Sequence, residues 1–250
     1  MSKRSIVHAL TCAGAVVSIG STLMLAALGC QNAGPPPAPL RHDSAAREYA
    51  QDRSAVSGRE PRRGRSQERS SPGQFDFYLL NLSWSPEFCA SHGDSPECGR
   101  GLGFVVHGMW PQDATGDYPE HCSDAPGPSN PQTYTDMFPT AGLVEHEWQT
   151  HGTCSGLPAD DYFSQIRKAY AVVKIPQNIG AGTDGRGVPP GELLAQFAGE
   201  NPSYPRESFA LSCGNNRLTA VEICLSKDLR PESCQGVRSC RANVVKVAPR

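Results

Sequence analysis

Eight cysteines between residues 75 and 250 constrain this chain more than any other feature of its sequence. An even set of cysteines in an exported protein is typical of a disulfide framework. Cysteine-based zinc sites usually need C-x-x-C pairs. None occurs here, since even Cys234 and Cys240 are too far apart in sequence. We therefore expect a folded part that is held by disulfides rather than by zinc.

The first thirty residues have the pattern of an export signal. Lys3 and Arg4 precede an uncharged, weakly apolar stretch from Ile6 to Leu28. The sequence Leu25-Ala26-Ala27-Leu28-Gly29-Cys30 resembles a bacterial lipobox, in which Cys30 would be lipidated, although Ala27 stands where that motif usually has Leu. Plain secretion after ordinary cleavage is the alternative. Either interpretation predicts an exported protein, as a cell-envelope lipoprotein (periplasmic or outer-membrane) or as a secreted one.

Residues 31–74 differ in composition from residues 75–250. They are rich in Pro, Arg and Ser, carry a net charge of +3 and contain few sizeable apolar side chains. Such a segment cannot bury enough apolar area to offset its ordering entropy. We expect a disordered linker that tethers the folded domain of residues 75–250 to the signal or to a membrane.

The folded part mixes predicted strands and helices without regular alternation. Strands are expected at 75–84, at 103–107 (ended by Gly108) and at 218–225. Helices are expected at 141–153, 160–173 and 189–197. This order predicts an α+β fold with a central, mostly antiparallel sheet flanked by helices.

The charge of this part limits how it can bind nucleic acid. Residues 75–250 contain 13 Lys and Arg against 20 Asp and Glu, a net charge of −7. This charge argues against binding of nucleic acid through a broad basic surface. It does not argue against a cleft that binds one phosphate. The charge predicts modest affinity for RNA and activity favoured at acid pH.

Two short segments contain the residues best suited to catalysis. The first is Val106-His107-Gly108-Met109-Trp110-Pro111, and the second is Glu145-His146-Glu147-Trp148-Gln149-Thr150-His151-Gly152-Thr153-Cys154. On a helix, residues four apart share a face, so Glu147 aligns with His151. His107 alone would be interpreted as a core histidine, and Trp148 is expected to pack in the core.

A zinc protease site is excluded by spacing. That motif places two histidines four residues apart, whereas His146 and His151 are five apart, about 140° around a helix. Phosphodiester cleavage fits better, because a base must take the proton of the RNA 2′-hydroxyl and an acid must protonate the leaving 5′-oxygen. Histidine suits both tasks near neutral pH, and neither a metal nor a cofactor is needed.

The two segments together closely resemble the active-site segments of the ribonuclease T2 family. The resemblance extends over about residues 75–240 and includes Trp84-Ser85-Pro86-Glu87-Phe88-Cys89 and Asp117-Tyr118-Pro119-Glu120-His121-Cys122. It implies a bacterial endoribonuclease that cleaves single-stranded RNA through a 2′,3′-cyclic phosphate to 3′-phosphate ends.

The resemblance also implies roles for individual residues. His151 would be the general base and His107 the general acid, with the roles exchanged when the cyclic phosphate is hydrolysed. His146 would hold the phosphate, and Glu147 would orient and polarise the site. Substrate-binding positions would be Trp110 and Tyr118, which would stack a base, Gln112, which would read it, and Thr150.

Thr150 departs from the family pattern, which usually has Lys immediately before the second helix histidine. Thr offers one short hydroxyl in place of a cation. We expect this protein to have a lower turnover than a relative with Lys, without loss of the reaction. We expect the Thr150→Lys variant to have a higher turnover than the wild type.

Disulfide pairing is also implied by the resemblance. It suggests Cys122–Cys154 and Cys89–Cys98. The four remaining cysteines allow three connectivities, of which the nested pair Cys213–Cys240 and Cys224–Cys234 is most similar to the family.

Two other classes of function stay open from the sequence. One is a catalytically weak binding protein of the same fold that acts by holding RNA or a surface partner, for which Thr150 is the clue. The other is an extracellular enzyme that acts on a different phosphodiester or on a glycan. The leading interpretation takes single-stranded RNA and not DNA as the partner, allows a membrane tether through Cys30, and assumes a monomer.

Overall fold

The computed structural model describes residues 71–179 and 187–250. The predicted signal peptide, Cys30 and nearly all of the predicted linker lie outside the described residues. Within the described ranges, none of the helices has both the length and the apolar character that a membrane span requires. Near the start of the described residues, the N–H of Gly73 donates to the carbonyl of Cys154 at 2.9 Å.

A four-stranded sheet forms the centre of the structure, with strand order β2-β1-β4-β3. The strands are β1 (Phe77–Trp84), β2 (Phe104–Gln112), β3 (Phe209–Gly214) and β4 (Arg217–Leu225). Each neighbouring pair is antiparallel. The α+β fold with an antiparallel sheet is therefore confirmed.

In the part of the chain that the structure describes, four α-helices accompany the sheet: α1 (Ser85–Ser91), α2 (Ala141–Thr150), α3 (Ala159–Val172) and α4 (Pro190–Glu200). The apolar face that the sequence predicted on α3 is buried, with Tyr162, Phe163 and Ile166 all at 0% exposure. This face packs with β1 side chains such as Leu80 and Leu82 in the main core. Burial of these large side chains is the dominant stabilising contribution.

The structure differs from the predicted ends of two elements. β2 does not end at Gly108 but continues to Gln112, and α2 ends at Thr150 rather than at Thr153. A 3₁₀ turn over Gly152–Cys154 follows instead. Strand β3 and helix α1 were not predicted. α1 directly continues β1, and Pro86 occupies its first turn, where a missing N–H costs nothing.

The two faces of the sheet differ in what covers them. The main core lies on one face. A smaller cluster of Phe77, Leu79, Trp110 and Cys224 lies apart from it, and alternation along β1 places Phe77 and Leu79 on the other face. The residues of the two catalytic segments gather next to this smaller cluster.

Four disulfides cross-link the described residues, and they are the four pairs that the resemblance implied: Cys89–Cys98, Cys122–Cys154, Cys213–Cys240 and Cys224–Cys234. The last two fix the C-terminal segment, which contains no helix or strand. Its end is also held where the indole N–H of Trp84 donates to the carbonyl of Ala248 at 2.9 Å. Cys122–Cys154 ties the long loop after β2 to the end of α2.

Candidate active site

His107 is the extra residue of a β-bulge in β2. Asn81 pairs with Gly108 and Leu82 pairs with Val106, so His107 has no partner residue on β1. In a regular strand, Val106 and Met109 would point to opposite faces because they are three residues apart. The bulge lets both pack in the main core, while His107 stays partly open with 14% of its side chain exposed. Bulges often redirect a side chain beside an active site in this way.

Gly108 leaves the space that the carboxylate of Glu147 occupies. A β-carbon on Gly108 would lie 2.0 Å from Oε2 of Glu147 and 2.5 Å from Nε1 of Trp110. Any side chain at this position would displace the carboxylate from the strand. The position of the Glu147 carboxylate thus requires glycine at position 108.

Glu147 is buried to 1% exposure and has partners for both oxygens. The indole N–H of Trp110 donates to Oε2 at 2.6 Å, and Nε2 of His107 lies 3.4 Å from Oε1. Burial by itself would raise the pKa of Glu147. The hydrogen bond and charge of His107, with the charges of His151 and His146, outweigh burial and lower that pKa to about 2. Glu147 is therefore an ionised carboxylate at every pH of interest.

His151 stands at the C-terminal cap of α2, where its N–H donates to the carbonyl of Glu147 at 3.0 Å. Its imidazole is 5% exposed and its ring centre lies 5.3 Å from that of Trp110. The ring of His107 lies 5.7 Å from the same indole. Both imidazoles therefore lie against one buried tryptophan, which also donates a hydrogen bond to the carboxylate of Glu147.

The end of α2 is fixed by close packing at Gly152. A β-carbon there would lie 2.4 Å from Trp148 and 2.9 Å from Tyr162. Trp148 is 1% exposed and donates its N–H to the carbonyl of Ala125, as expected of a core residue. The hydroxyl of Tyr162 donates to the carbonyl of Met109 at 2.6 Å. These contacts join α2, α3 and β2 and so set the distance between the two catalytic segments.

His146 is half-buried one residue before Glu147, and several charges act on it. Burial is the main cause that lowers its pKa. The charge of Glu147 acts in the opposite direction, while the charges of His107 and His121 lower the pKa further. His146 therefore needs a more acid solution than a free imidazole to become a cation.

The residues expected to bind the base are placed differently from one another. Tyr118 is 41% exposed, as a stacking residue should be. Trp110, by contrast, is 2% exposed and offers no open ring face, because it packs under the histidines and bonds Glu147. Gln112 is 6% exposed, and its amide donates to the carbonyl of Pro111. In this structure Trp110 supports Glu147 and the side-chain amide of Gln112 donates to the carbonyl of Pro111, while the stacking role of Trp110 and the base-reading role of Gln112 stay predictions.

Thr150 is buried at 8% exposure at the end of α2, and its carbonyl accepts the N–H of His121 at 2.8 Å. The sequence pattern does not indicate that His121 lies near His146. His121 is separated from it by 25 positions, and nothing in the local pattern signals the contact. Across residues 71–179 and 187–250, no three His, Cys, Asp or Glu side chains converge as a set of metal ligands would.

Comparison with known sequences gives a consistent result. The profile of the ribonuclease T2 family matches residues 75–182. A protein named ribonuclease from Aeromonas hydrophila is 45% identical over 98 residues, which cover 38% of this chain and 45% of that protein. A probable ribonuclease from Haemophilus influenzae is 31% identical over 180 residues, which cover 64% of this chain and 61% of the other. The matches thus span about half the length of these curated relatives.

Two solved structures are examples of proteins with the same fold. A ribonuclease-related protein from Calystegia sepium matches with a TM-score of 0.54 at 20% identity, covering 70% of this chain and 98% of that one. Trichomaglin, described as an S-like ribonuclease, matches with a TM-score of 0.57 at 20% identity and the same coverage. At this identity the likeness concerns the fold.

Proposed function

Because the chain belongs to the ribonuclease T2 family, we propose that it is an endoribonuclease that cleaves single-stranded RNA by acid–base catalysis with two histidines and without a metal. The observation that supports this proposal is that the imidazoles of His107 and His151 both lie against Trp110, which donates a hydrogen bond to the ionised carboxylate of Glu147.

We assign the acid and the base as the resemblance of the two segments implies, with His107 as the general acid and His151 as the general base. Nε2 of His107 lies 3.4 Å from Oε1 of Glu147, which orients its imidazole. His151 takes the proton of the 2′-hydroxyl, the 2′-oxygen attacks phosphorus, and His107 protonates the departing 5′-oxygen.

The second step reverses these transfers. His107, now neutral, takes a proton from water, whose oxygen attacks the 2′,3′-cyclic phosphate. His151, now protonated, returns its proton to the 2′-oxygen, which leaves a 3′-phosphate. Both imidazoles regain their starting state, and Glu147 stays ionised throughout.

His146 is the residue that we assign to the phosphate, because it lies on the same helix as Glu147 and its charge is coupled to that of His107. Thr150 places a short buried hydroxyl one turn after it. A Lys at this position would add a cation to a site in which negative charge builds on the phosphoryl oxygens. We therefore expect Thr150→Lys to raise turnover.

Tyr118 is the residue that we assign to stacking of an RNA base. Its exposed ring belongs to the loop that Cys122–Cys154 ties to α2. Stacking on an aromatic ring accepts any base and contributes about 1–3 kcal/mol per base. Tyr118→Phe should keep the KM for RNA, and Tyr118→Ala should raise it. DNA lacks the 2′-hydroxyl and should not be cleaved.

We further propose that the protein acts outside the cytoplasm as a monomer, with Cys30 as the lipid-bearing residue of a membrane tether. This rests on the sequence of residues 1–74. Mass spectrometry of the N-terminal peptide of the mature protein tests it. A diacylated Cys30 would support the tether, and an unmodified new N-terminus elsewhere would show plain secretion.

The deciding experiment measures cleavage of total RNA by the purified protein in EDTA from about pH 4 to about pH 8, beside His151→Phe and the control His92→Phe. His92 stacks on Phe88 at the end of α1 and takes no part in the proposed chemistry. An acid or bell-shaped profile that only His151→Phe abolishes supports the proposal. RNA that is bound but left intact by the wild type would favour the binding protein, and cleavage that stops in EDTA would contradict metal independence.

A further inference from the structure

We propose, on the premise of the ribonuclease activity above, that His121 is a second phosphate-binding residue, which acts beside His146 and supplies a positive charge that Thr150 does not. His121 lies outside both catalytic segments. The tertiary structure brings it to the C-terminal end of α2, close to the residues of the second segment.

Two hydrogen bonds fix His121 at this place. Its N–H donates to the carbonyl of Thr150 at 2.8 Å, and its ring atom Nδ1 lies 3.1 Å from the carbonyl of Gln149. A carbonyl only accepts, so Nδ1 carries the proton in this contact. The next residue is joined to α2 through Cys122–Cys154. The anchored residue is exposed, and Nε2 is the ring nitrogen that the proposal assigns to the phosphate.

The backbone of His121 is in an unfavourable conformation. Its φ is +51°, in the left-handed region that residues with a β-carbon seldom adopt. Elsewhere in the described chain such angles occur at glycines and at Asn215, Asn216 and Leu229. Glycine adopts them at no steric cost, so a turn alone would not require an imidazole at position 121. Strained conformations of this kind cluster at functional sites, which points to a use for the imidazole.

His121 lies against the last carbonyls of α2, those of Gln149 and Thr150. The C-terminal end of a helix has a partial negative charge that attracts cations. His121 is also close enough to His146 for its charge to lower the pKa of His146. A bound anion would screen the two rings from each other. A phosphate diester of RNA is such an anion, and Tyr118 on the same loop would hold the adjoining base.

The alternative is that His121 merely caps α2. The test therefore uses His121→Asn, which tolerates a positive φ and can still donate to the carbonyl of Gln149, but lacks the imidazole. The melting temperature should stay the same, whereas kcat/KM on dinucleoside phosphates should fall about tenfold, as expected for a lost charged hydrogen bond. A cap alone would leave kcat/KM unchanged. His121→Gly, which also accepts the backbone angle, serves as a second variant if the asparagine perturbs folding.

Thr150→Lys provides the specific control. It adds a cation one turn after His146, so His121 should matter less in its presence. We expect His121→Asn to cost less than about threefold in kcat/KM on the Thr150→Lys background, against about tenfold in the wild type. Equal losses on both backgrounds would contradict the assigned role.

The outcomes separate this proposal from the proposed function. If His151→Phe abolishes cleavage and both His121 variants keep full kcat/KM, His121 does not bind phosphate and the ribonuclease proposal stands. If the wild type cleaves no RNA, titration with inorganic phosphate, followed by the NMR signals of the His121 ring, decides the point. A saturable shift that coincides with a shift of His146 supports the phosphate site, and unmoved signals overturn it.

Discussion

The carboxylate of Glu147 fills the space where a β-carbon of Gly108 would lie, with Oε2 only 2.0 Å from that position. This contact joins strand β2 to helix α2 at the centre of the site. It explains why the first segment has glycine directly after His107 and why the carboxylate can reach both His107 and Trp110.

Gly108→Ala should therefore disrupt the position of the Glu147 carboxylate in the site. The added methyl group forces Glu147 away from Trp110, which should destabilise the fold by about 1–3 kcal/mol and, through misplaced catalytic groups, lower kcat by about a hundredfold. Urea unfolding and RNA cleavage check both effects. Gly199→Ala in α4 is the matched control, since nothing lies within 4 Å of its new methyl group. A Gly108→Ala enzyme with normal kcat would show that the close contact is unimportant.

Trp110→Phe should remove the hydrogen bond that the indole N–H donates to Glu147. The ring volume is largely kept, but Oε2 loses its hydrogen bond, which should cost about 1–3 kcal/mol and lower kcat. Trp148→Phe is the control, because Trp148 is equally buried and also donates one N–H, but to the carbonyl of Ala125. Both variants should lose stability, and only Trp110→Phe should shift the pH profile of kcat. Identical profiles would refute a role for the Trp110–Glu147 bond in catalysis.

Stability in acid should depend on Glu147. Its pKa is lowered from 4.5 to about 2 in the folded protein, so the ionised form stabilises the fold fully above about pH 4.5. This contribution is lost as the pH falls from about 4.5 toward 2. Glu147→Gln should lack that part of the acid-induced loss in urea titrations, while Glu145→Gln, an exposed neighbour on α2, should behave as the wild type. Equal pH dependence in all three proteins would contradict the lowered pKa.

Substrate affinity should rise in acid through His146. Because burial lowers its pKa, His146 is mainly neutral near neutral pH and becomes a cation only below its lowered pKa. The KM for RNA should therefore fall between about pH 7 and about pH 5, and His146→Asn should remove this dependence. His92→Asn at the end of α1 should keep it. A KM that does not vary with pH in the wild type would argue against phosphate binding by His146.

The sequence by itself determined the class of the fold and indicated the residues to which we assign the chemistry. The apolar period of α3 predicted its buried face, and the even number of cysteines predicted a disulfide-held domain. His107, His146, Glu147 and His151 were identified from two short segments, because residue type and helical spacing are properties of neighbouring positions. The resemblance of those segments, not their spacing, supplied the individual roles.

The tertiary structure decided how these residues meet. The bulge at His107 depends on the register between β1 and β2, and a shift of one residue changes which face a side chain takes. The burial of Trp110 and the contact of Gly108 with Glu147 depend on how α2 docks on β2. His121 reaches α2 only through Cys122–Cys154 and two hydrogen bonds to its last carbonyls. These are contacts between residues far apart in the chain, which local sequence patterns do not encode.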